Sequence, residues 1–426
     1  MFDKAWLASP IHRVQVWAHY LAQPVLAGHL NHEVSARRTL FEWSDQAIAQ
    51  DLRLSPLVLP TVEGVWSSAQ QRSLPQDFEG LPGLLNDALP DGWGRYLMDK
   101  AIVRQEIDPR FISPAARLAF IADRAWGALS FKPVMESAAE GEISLDALGH
   151  EVEAAIDGAL ADVSRALLTA GSSPQGARPK IMVDLDASMR RARVTTGIAP
   201  AGYSSWLIKF AARDEPVDAP VLEQAYMECA REAGLDVMDS CLLDINGKPA
   251  FATRRFDRMG QCRTHCHTLG GMIHFSHREI GLDYVNIAEV MARLGVPESD
   301  YLQAYTRAVF NAAMSVRDDH AKNFAFILDG RQRWAISPAY DLTYMEGPGG
   351  YHTLTFAGGS SRDPVRADLL RLADSYRIEP AQASGIIDGM LSLAPRFGAI
   401  AKQLGARAAV IDPIVRRLAE IGRALA

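Results

Sequence analysis

Apolar residues at Leu302, Tyr305, Val309, Ala312 and Val316 recur every three or four positions, the spacing that lays one helix face against a core. The pattern then breaks. Arg317-Asp318-Asp319-His320-Ala321-Lys322-Asn323 is a run of polar side chains and predicts a loop. Phe324 to Leu328 predicts a strand, Asp329-Gly330 a tight hairpin turn, and Arg331 to Ile336 the returning strand; Ser337-Pro338-Ala339-Tyr340-Asp341 follows. A hairpin brings the chain back to where it set out, so Asp341 is expected beside Asn323 and Asp318.

The same pattern orders the rest. Val14 to Leu30, around Gly28, predicts short strands in a hairpin, and Leu40 to Trp43 with Ala47 to Leu52 extends a small mixed unit. Ser73 to Gly92 is rich in Pro, Gly and Asp and predicts a loop with a short helical turn, followed by a helix from Trp93 to Val103. Ile143 to Ala170 predicts a long amphipathic helix, interrupted near Gly158 and stopped by Gly171. Strands follow at Ile181 to Leu185, Arg193 to Thr196 and Ser205 to Phe210, then a helix from Leu222 to Ala233. Cys241 to Leu243 and Ala250 to Phe256 flank a turn at Asn246-Gly247. From Gly270 onward helices dominate: Val285 to Leu294, Tyr301 to Val316, Arg366 to Ala373, Pro380 to Leu393 and Ile411 to Leu425. The expected divisions are 1–108, 109–269 and 270–426, with the first boundary at Asp108-Pro109.

Composition narrows the class. The chain has 426 residues, enough for two or three packed units, and its net charge of −7 argues against holding nucleic acid by global attraction. Four cysteines form no disulfide framework, no signal peptide opens the chain and no apolar run is long enough to span a membrane, so a cytoplasmic location is expected. Cys262, His265, Cys266 and His267 cluster, but ligands one residue apart cannot all face one ion, which argues against zinc.

Phosphoryl transfer from Mg-ATP fits the remaining chemistry. Asp318 and Asn323 stand five positions apart, the separation of base and metal-binding Asn in a protein-kinase catalytic loop, and Asp341 follows one hairpin later. Magnesium takes hard oxygen ligands, which suits Asn323 and Asp341 and leaves Asp318 to orient a hydroxyl. An Asp-rich loop before a hairpin is common on surfaces; it is the trio that carries the reading. Gly171 to Lys180 supplies small residues that let backbone N–H groups approach an anion, with Arg178 and Lys180 adding charge, although such stretches are often plain linkers. Lys209, in an otherwise apolar strand, followed by Glu223 on a helix, matches the kinase ion pair; a snorkelling Lys and a solvated Glu are the plainer alternatives.

Asp318-Asp319-His320-Ala321-Lys322-Asn323 and Ser337 to Asp341, with Arg254-Arg255-Phe256-Asp257-Arg258 and Leu89-Pro90-Asp91-Gly92-Trp93, resemble the HipA family of bacterial serine/threonine kinases, toxins of toxin–antitoxin pairs. The resemblance covers most of the chain. It implies an α+β, two-lobed, protein-kinase-like fold: a mixed N-terminal lobe with a small appended subdomain, and a mainly helical C-terminal lobe. It implies that Gln175, Gly176, Ala177, Arg178, Pro179 and Lys180 form the phosphate loop and that Lys209 contacts ATP. Arg254, Arg255 and Phe256 would meet adenine, and His320, Ala321, Lys322, Asn323, Tyr340 and Asp341 would line the nucleotide site. Asp318 would be the base, Asn323 and Asp341 the magnesium ligands. It further implies autophosphorylation at Ser173, with Ser172 the alternate, a protein substrate such as an aminoacyl-tRNA synthetase, and a HipB-like helix-turn-helix antitoxin through which DNA would be met indirectly. Arg254 stands where the family's hinge has Glu. A small-molecule phosphotransferase and a non-catalytic co-repressor are the competing functions.

Overall fold

The computed structural model describes residues 3–134, 141–160, 162–194, 197–260 and 262–426. Near the N-terminus, strands β1 (Ile11–Ala18), β2 (Val25–Glu33), β3 (Arg38–Trp43), β4 (Val65–Ser67) and β5 (Leu129–Lys132) form an antiparallel sheet in the order β4-β3-β2-β1-β5. Val14, Val16 and Ala18 face the core while Arg13 and Gln15 face outward, the period-two alternation of a half-buried strand. The strands expected over Val14 to Leu30 pair as the hairpin β1–β2, and Gly28 lies inside β2. A side chain there would stand 2.4 Å from the Glu42 carbonyl oxygen and 2.7 Å from the Phe41 ring. Since β5 pairs with β1, the first sheet takes in chain beyond the boundary expected at Asp108-Pro109.

The second sheet is also antiparallel: β6 (Gly141–Ile143), β7 (Lys180–Asp186), β8 (Ala192–Val194), β9 (Tyr203–Lys209), β10 (Ser240–Ile245) and β11 (Lys248–Arg254), ordered β10-β11-β9-β7-β8-β6. Asn246 and Gly247 both take positive φ, 56° and 73°, in a two-residue turn that closes β10 on β11. The strand expected at Arg193 to Thr196 corresponds to β8 in its first part; Thr195 and Thr196 lie outside the described residues. The long helix expected before this sheet is two, Leu145–Ile156 and Arg165–Gly171. Gly158, with φ 73°, supplies the left-handed break. Gly171 is instead the last helical residue, followed by right-handed Ser172, and is small because a Cβ would sit 2.6 Å from Leu97 Cδ1.

Short strands β12 (Arg258–Met259), β13 (Cys262–Arg263) and β14 (His265–Thr268) lead into the helical lobe, where β15 (Ala325–Leu328) and β16 (Trp334–Ile336) pair behind β14. Tyr284–Leu294, Glu298–Met314, Arg366–Ser375, Pro380–Leu393 and Ala408–Leu425 are its main helices. The helix Ala219–Glu232 joins the lobes: Tyr226 packs edge-on against Phe397 at 5.0 Å and donates its hydroxyl to the Met314 carbonyl at 2.7 Å. No helix among the described residues is long and apolar enough to cross a membrane.

Candidate active site

The helix Glu298–Met314 sets the position of the polar loop. Its C-terminal half is buried all round, and Ser315, at φ 55°, ends it abruptly. Adjacent carboxylates then take opposite directions. Asp319 is 1% exposed and accepts from the Tyr284 hydroxyl at 2.8 Å and the Thr353 N–H at 2.7 Å, with His352 Nδ1 2.8 Å away. Asp318 keeps its side chain 47% exposed, with His320 Nε2 3.7 Å from Oδ1. Burial, with Asp341 and Asp319 nearby, pushes the Asp318 carboxyl up from the ordinary Asp value against the opposing pull of His320. Asn323 donates its Nδ2 to the Asp318 carbonyl at 2.6 Å, which fixes the carboxamide and turns its oxygen the other way.

The hairpin returns as expected but is built differently. Five residues, 329–333, connect Leu328 to its partner Trp334. The two-residue Asp329-Gly330 turn does not form, because the Asp329 carboxylate accepts from the Arg331 and Arg333 N–H groups at 2.8 and 2.9 Å and Gln332 takes the positive φ, 58°. Arg307 then clamps both ends. This buried residue donates Nη2 to the carbonyls of Asn323 at 2.6 Å and Tyr340 at 3.0 Å, and its guanidinium lies over the rings of Phe324 and Tyr340. Its signal in the sequence is a charged residue amid the apolar positions of the helix.

Asp341 sits at φ 55°, a sparsely populated conformation for a non-glycine residue. Lys209 Nζ donates both to Asp341 and, at 2.6 Å, to Glu223 Oε1, so the predicted strand–helix pair forms and the ammonium reaches Asp341 as well. Although burial opposes ionisation, Lys209 and Lys180 hold the Asp341 carboxyl well below the usual range.

The phosphate loop departs from expectation in its charges. Arg178 is engaged by carboxylates, Glu215 Oε1 at 2.6 Å and Glu223 Oε2 at 3.2 Å, so it braces the ion pair. Lys180 is buried beneath the loop and donates to the Gln175 carbonyl at 2.7 Å; burial and the neighbouring Lys209 pull its pKa down to about 8. Gly176, at φ 94°, lies so close above Lys180 Nζ that a side chain would stand 2.3 Å from it. Ala177 is exposed and Pro179 buried. Ser172 and Ser173 are 0% and 1% exposed, and neither hydroxyl has a hydrogen-bond partner among the described residues.

Of the hinge residues, Phe256 faces the aromatic side of the site, 5.8 Å from the Tyr340 ring and 6.2 Å from Trp126. Tyr340 donates its hydroxyl to the Lys322 carbonyl at 2.6 Å. Arg255 is turned onto Asp257 through Nε at 2.9 Å and Nη2 at 2.7 Å, and the N–H groups of Arg254 and Arg255 go to the Asp239 and Ser205 carbonyls, each at 2.9 Å. These two arginines therefore hold the backbone in shape and leave no backbone donor for a base. Asp257 also accepts from the Gly127 N–H at 2.8 Å, while Arg258 donates to the carbonyls of Gly127 and Ala125, tying this motif to the N-terminal unit. His265 and His267, from the Cys/His cluster, serve packing: His265 Nε2 lies 2.9 Å from the Leu54 carbonyl, and His267 lies between Asp87 and Ser55.

The donor set fits a magnesium–triphosphate. Asn323 and the part-exposed Asp341 offer hard oxygens, and the Lys209 ammonium lies against the Asp341 carboxylate. His320 caps the turn Ala321–Asn323 through its ring nitrogen, at 3.2 Å from the Lys322 N–H.

The chain is similar to several known proteins. Residues 18–132 match the HipA N-terminal domain, and residues 172–396 the HipA-like C-terminal domain. A Sinorhizobium fredii protein named "Putative kinase Y4dM" is 29% identical over 161 residues, and Y4mE of the same organism, likewise named, is 30% identical over 131. These alignments span 34% and 28% of this chain, and 39% and 31% of the relatives' lengths. HipA of Shewanella oneidensis, solved in a toxin–antitoxin complex with HipB and operator DNA, superposes with TM-score 0.68 over 96% of this chain and 95% of its own, at 15% identity, and so shares the fold. The two-lobed, kinase-like architecture expected above is the one observed. The second model alone covers more than half of the residues, and the chain belongs to the HipA family.

Proposed function

We propose that the protein is an ATP-dependent serine/threonine protein kinase. The observation that carries this reading is Lys209, paired with Glu223 at 2.6 Å, reaching Asp341 on the lobe that also presents the half-exposed Asp318. Lys209 would neutralise phosphate charge, and Asp318, its carboxyl raised above the ordinary Asp value, would take the proton of the attacking hydroxyl as that oxygen bonds to the γ-phosphorus and ADP departs. Magnesium, held by Asn323 and Asp341, would supply charge neutralisation on the phosphates. Catalysis of this kind is mainly positioning, which suits a site whose loops are clamped by Arg307 and Asp319.

Ser173 is the proposed autophosphorylation site and Ser172 the alternate. Both hydroxyls are buried, so modification would require the segment before the phosphate loop to leave its seat. A HipB-like antitoxin is the proposed partner, following the assembly of the Shewanella protein, and an aminoacyl-tRNA synthetase the first substrate to try. Incubation with Mg-ATP, followed by ADP detection and intact-mass measurement, tests the reading. Wild type is expected to form ADP and gain one phosphoryl group, Asp318→Asn to do neither, and Ser173→Ala to form ADP with protein substrate but gain no mass. Absence of ADP with every protein and small hydroxyl acceptor tried would overturn it.

A further inference from the structure

The N-terminal unit reaches into the site through residues 87–94. Gln175 donates its side-chain N–H to the carbonyls of Asp87 at 2.6 Å and Leu89 at 3.2 Å. The Trp93 N–H donates to the Gly176 carbonyl at 3.1 Å. Gly92, at φ 42°, passes so near that a Cβ would stand 2.7 Å from both Ala177 Cα and the Gly176 oxygen, and a Cβ on Gly94 would stand 2.7 Å from the Pro174 oxygen. Between them is Asp91. One of its carboxylate oxygens accepts from the Gly176 N–H and the other from Lys322 Nζ at 3.0 Å. The carboxylate thus joins the phosphate loop to the catalytic loop, two segments 146 residues apart. Although burial opposes it, Lys322 and the Gly176 N–H keep this carboxyl ionised below the usual range.

We propose that Asp91 is a positioning residue that latches the phosphate loop to Lys322, so that nucleotide binding by the two lobes depends on the N-terminal unit. The proposal rests on the kinase reading for its consequence but not for its geometry. With Asp91 in place, Gly176 is held at both its N–H, by the carboxylate, and its carbonyl, by the Trp93 N–H. Without it, Gly176 keeps only its carbonyl bond to Trp93 and Lys322 loses its carboxylate.

The test compares wild type with Asp91→Asn, Asp91→Ala, Lys322→Met and the Asp91→Ala/Lys322→Met double variant, using a fluorescent ATP analogue and hydrogen–deuterium exchange over residues 172–178. Asp91→Asn is expected to weaken analogue binding by about tenfold, the scale of one lost charge-assisted hydrogen bond, and to speed exchange at Gly176. The KM for ATP should rise while kcat at saturating ATP stays near wild type. The double variant is expected to bind no more weakly than Asp91→Ala alone, as two ends of one link require. Unchanged exchange and affinity in Asp91→Asn would overturn the latch, as would exchange quickening equally throughout β1–β3, which would mark Asp91 as a stability residue of the N-terminal sheet. Failure of wild type itself to bind the analogue would count against the kinase reading, and the exchange comparison would still decide the latch.

Discussion

Glu223 is buried between two cations, Lys209 and Arg178, and replacing it with Gln gives a sharp quantitative test. Its side chain is 3% exposed and meets Lys209 at 2.6 Å through one oxygen and Arg178 at 3.2 Å through the other. Glu223→Gln keeps the shape but removes the charge and turns an NH₂ group toward one of the two cations. At an effective dielectric near 20, unit charges about 3 Å apart attract by roughly 5 kcal/mol before desolvation is deducted. Lys209 retains Asp341 and Arg178 retains Glu215, so the net loss should be about 2–4 kcal/mol. Urea denaturation should register it as a lower midpoint at unchanged m-value. Function should shift in the same experiment series: Lys209, released from Glu223, leans wholly on Asp341 and competes harder with magnesium for that carboxylate. The magnesium concentration for half-maximal ATP turnover is therefore expected to rise. Lys209→Met combined with Glu223→Gln should cost less than the two single losses added, by at least about 1 kcal/mol. Strict additivity, with stability and magnesium dependence both near wild type, would refute the argument that this buried pair organises the site.

Other expectations follow from single residues. Asp318→Asn should reduce phosphoryl transfer by about 10²–10⁴-fold with nucleotide affinity retained, and wild-type kcat/KM should fall in acid as the raised Asp318 carboxyl takes up its proton, read from a pH–rate profile. Asp319→Asn should instead lower the denaturation midpoint, because three partners converge on that buried carboxylate; equal stability of the two variants would contradict the assigned division. Asp257, held down to about 2 by Arg255 and Arg258 against the effect of burial, stabilises the fold above its unfolded value near 3.8 and loses that contribution as pH falls from there through about 2. The Asp257→Asn variant should accordingly be less stable at neutral pH by about 3–5 kcal/mol and show a flatter stability profile across that acid window in calorimetry.

Much of this centre was legible because its parts are local. The helix before the loop, the Asp318–Asn323 spacing, and the strand Lys with a helix Glu are all patterns within short windows, and the structure brings them together. What escaped depends on partners far away in the chain. Nothing in Asp318-Asp319 says which carboxylate turns inward; that is decided by Tyr284, His352 and Thr353. Arg178 looked like a phosphate ligand because its carboxylates come from residues 215 and 223. Arg255 looked like a hinge contact, yet its guanidinium is turned onto Asp257, a carboxylate that the Gly127 N–H also holds. The Asp329-Gly330 turn misled for a local reason: the Asp side chain caps two later amides and widens the loop.

The pairing of β5 with β1 has a practical and a biological side. Until residues 129–132 have left the ribosome, β1 presents a row of bare amides and carbonyls, a template on which another nascent chain can dock. A fragment cut at residue 108 would keep that raw border permanently and is expected to clump, whereas one ending past Lys132 carries its own seal.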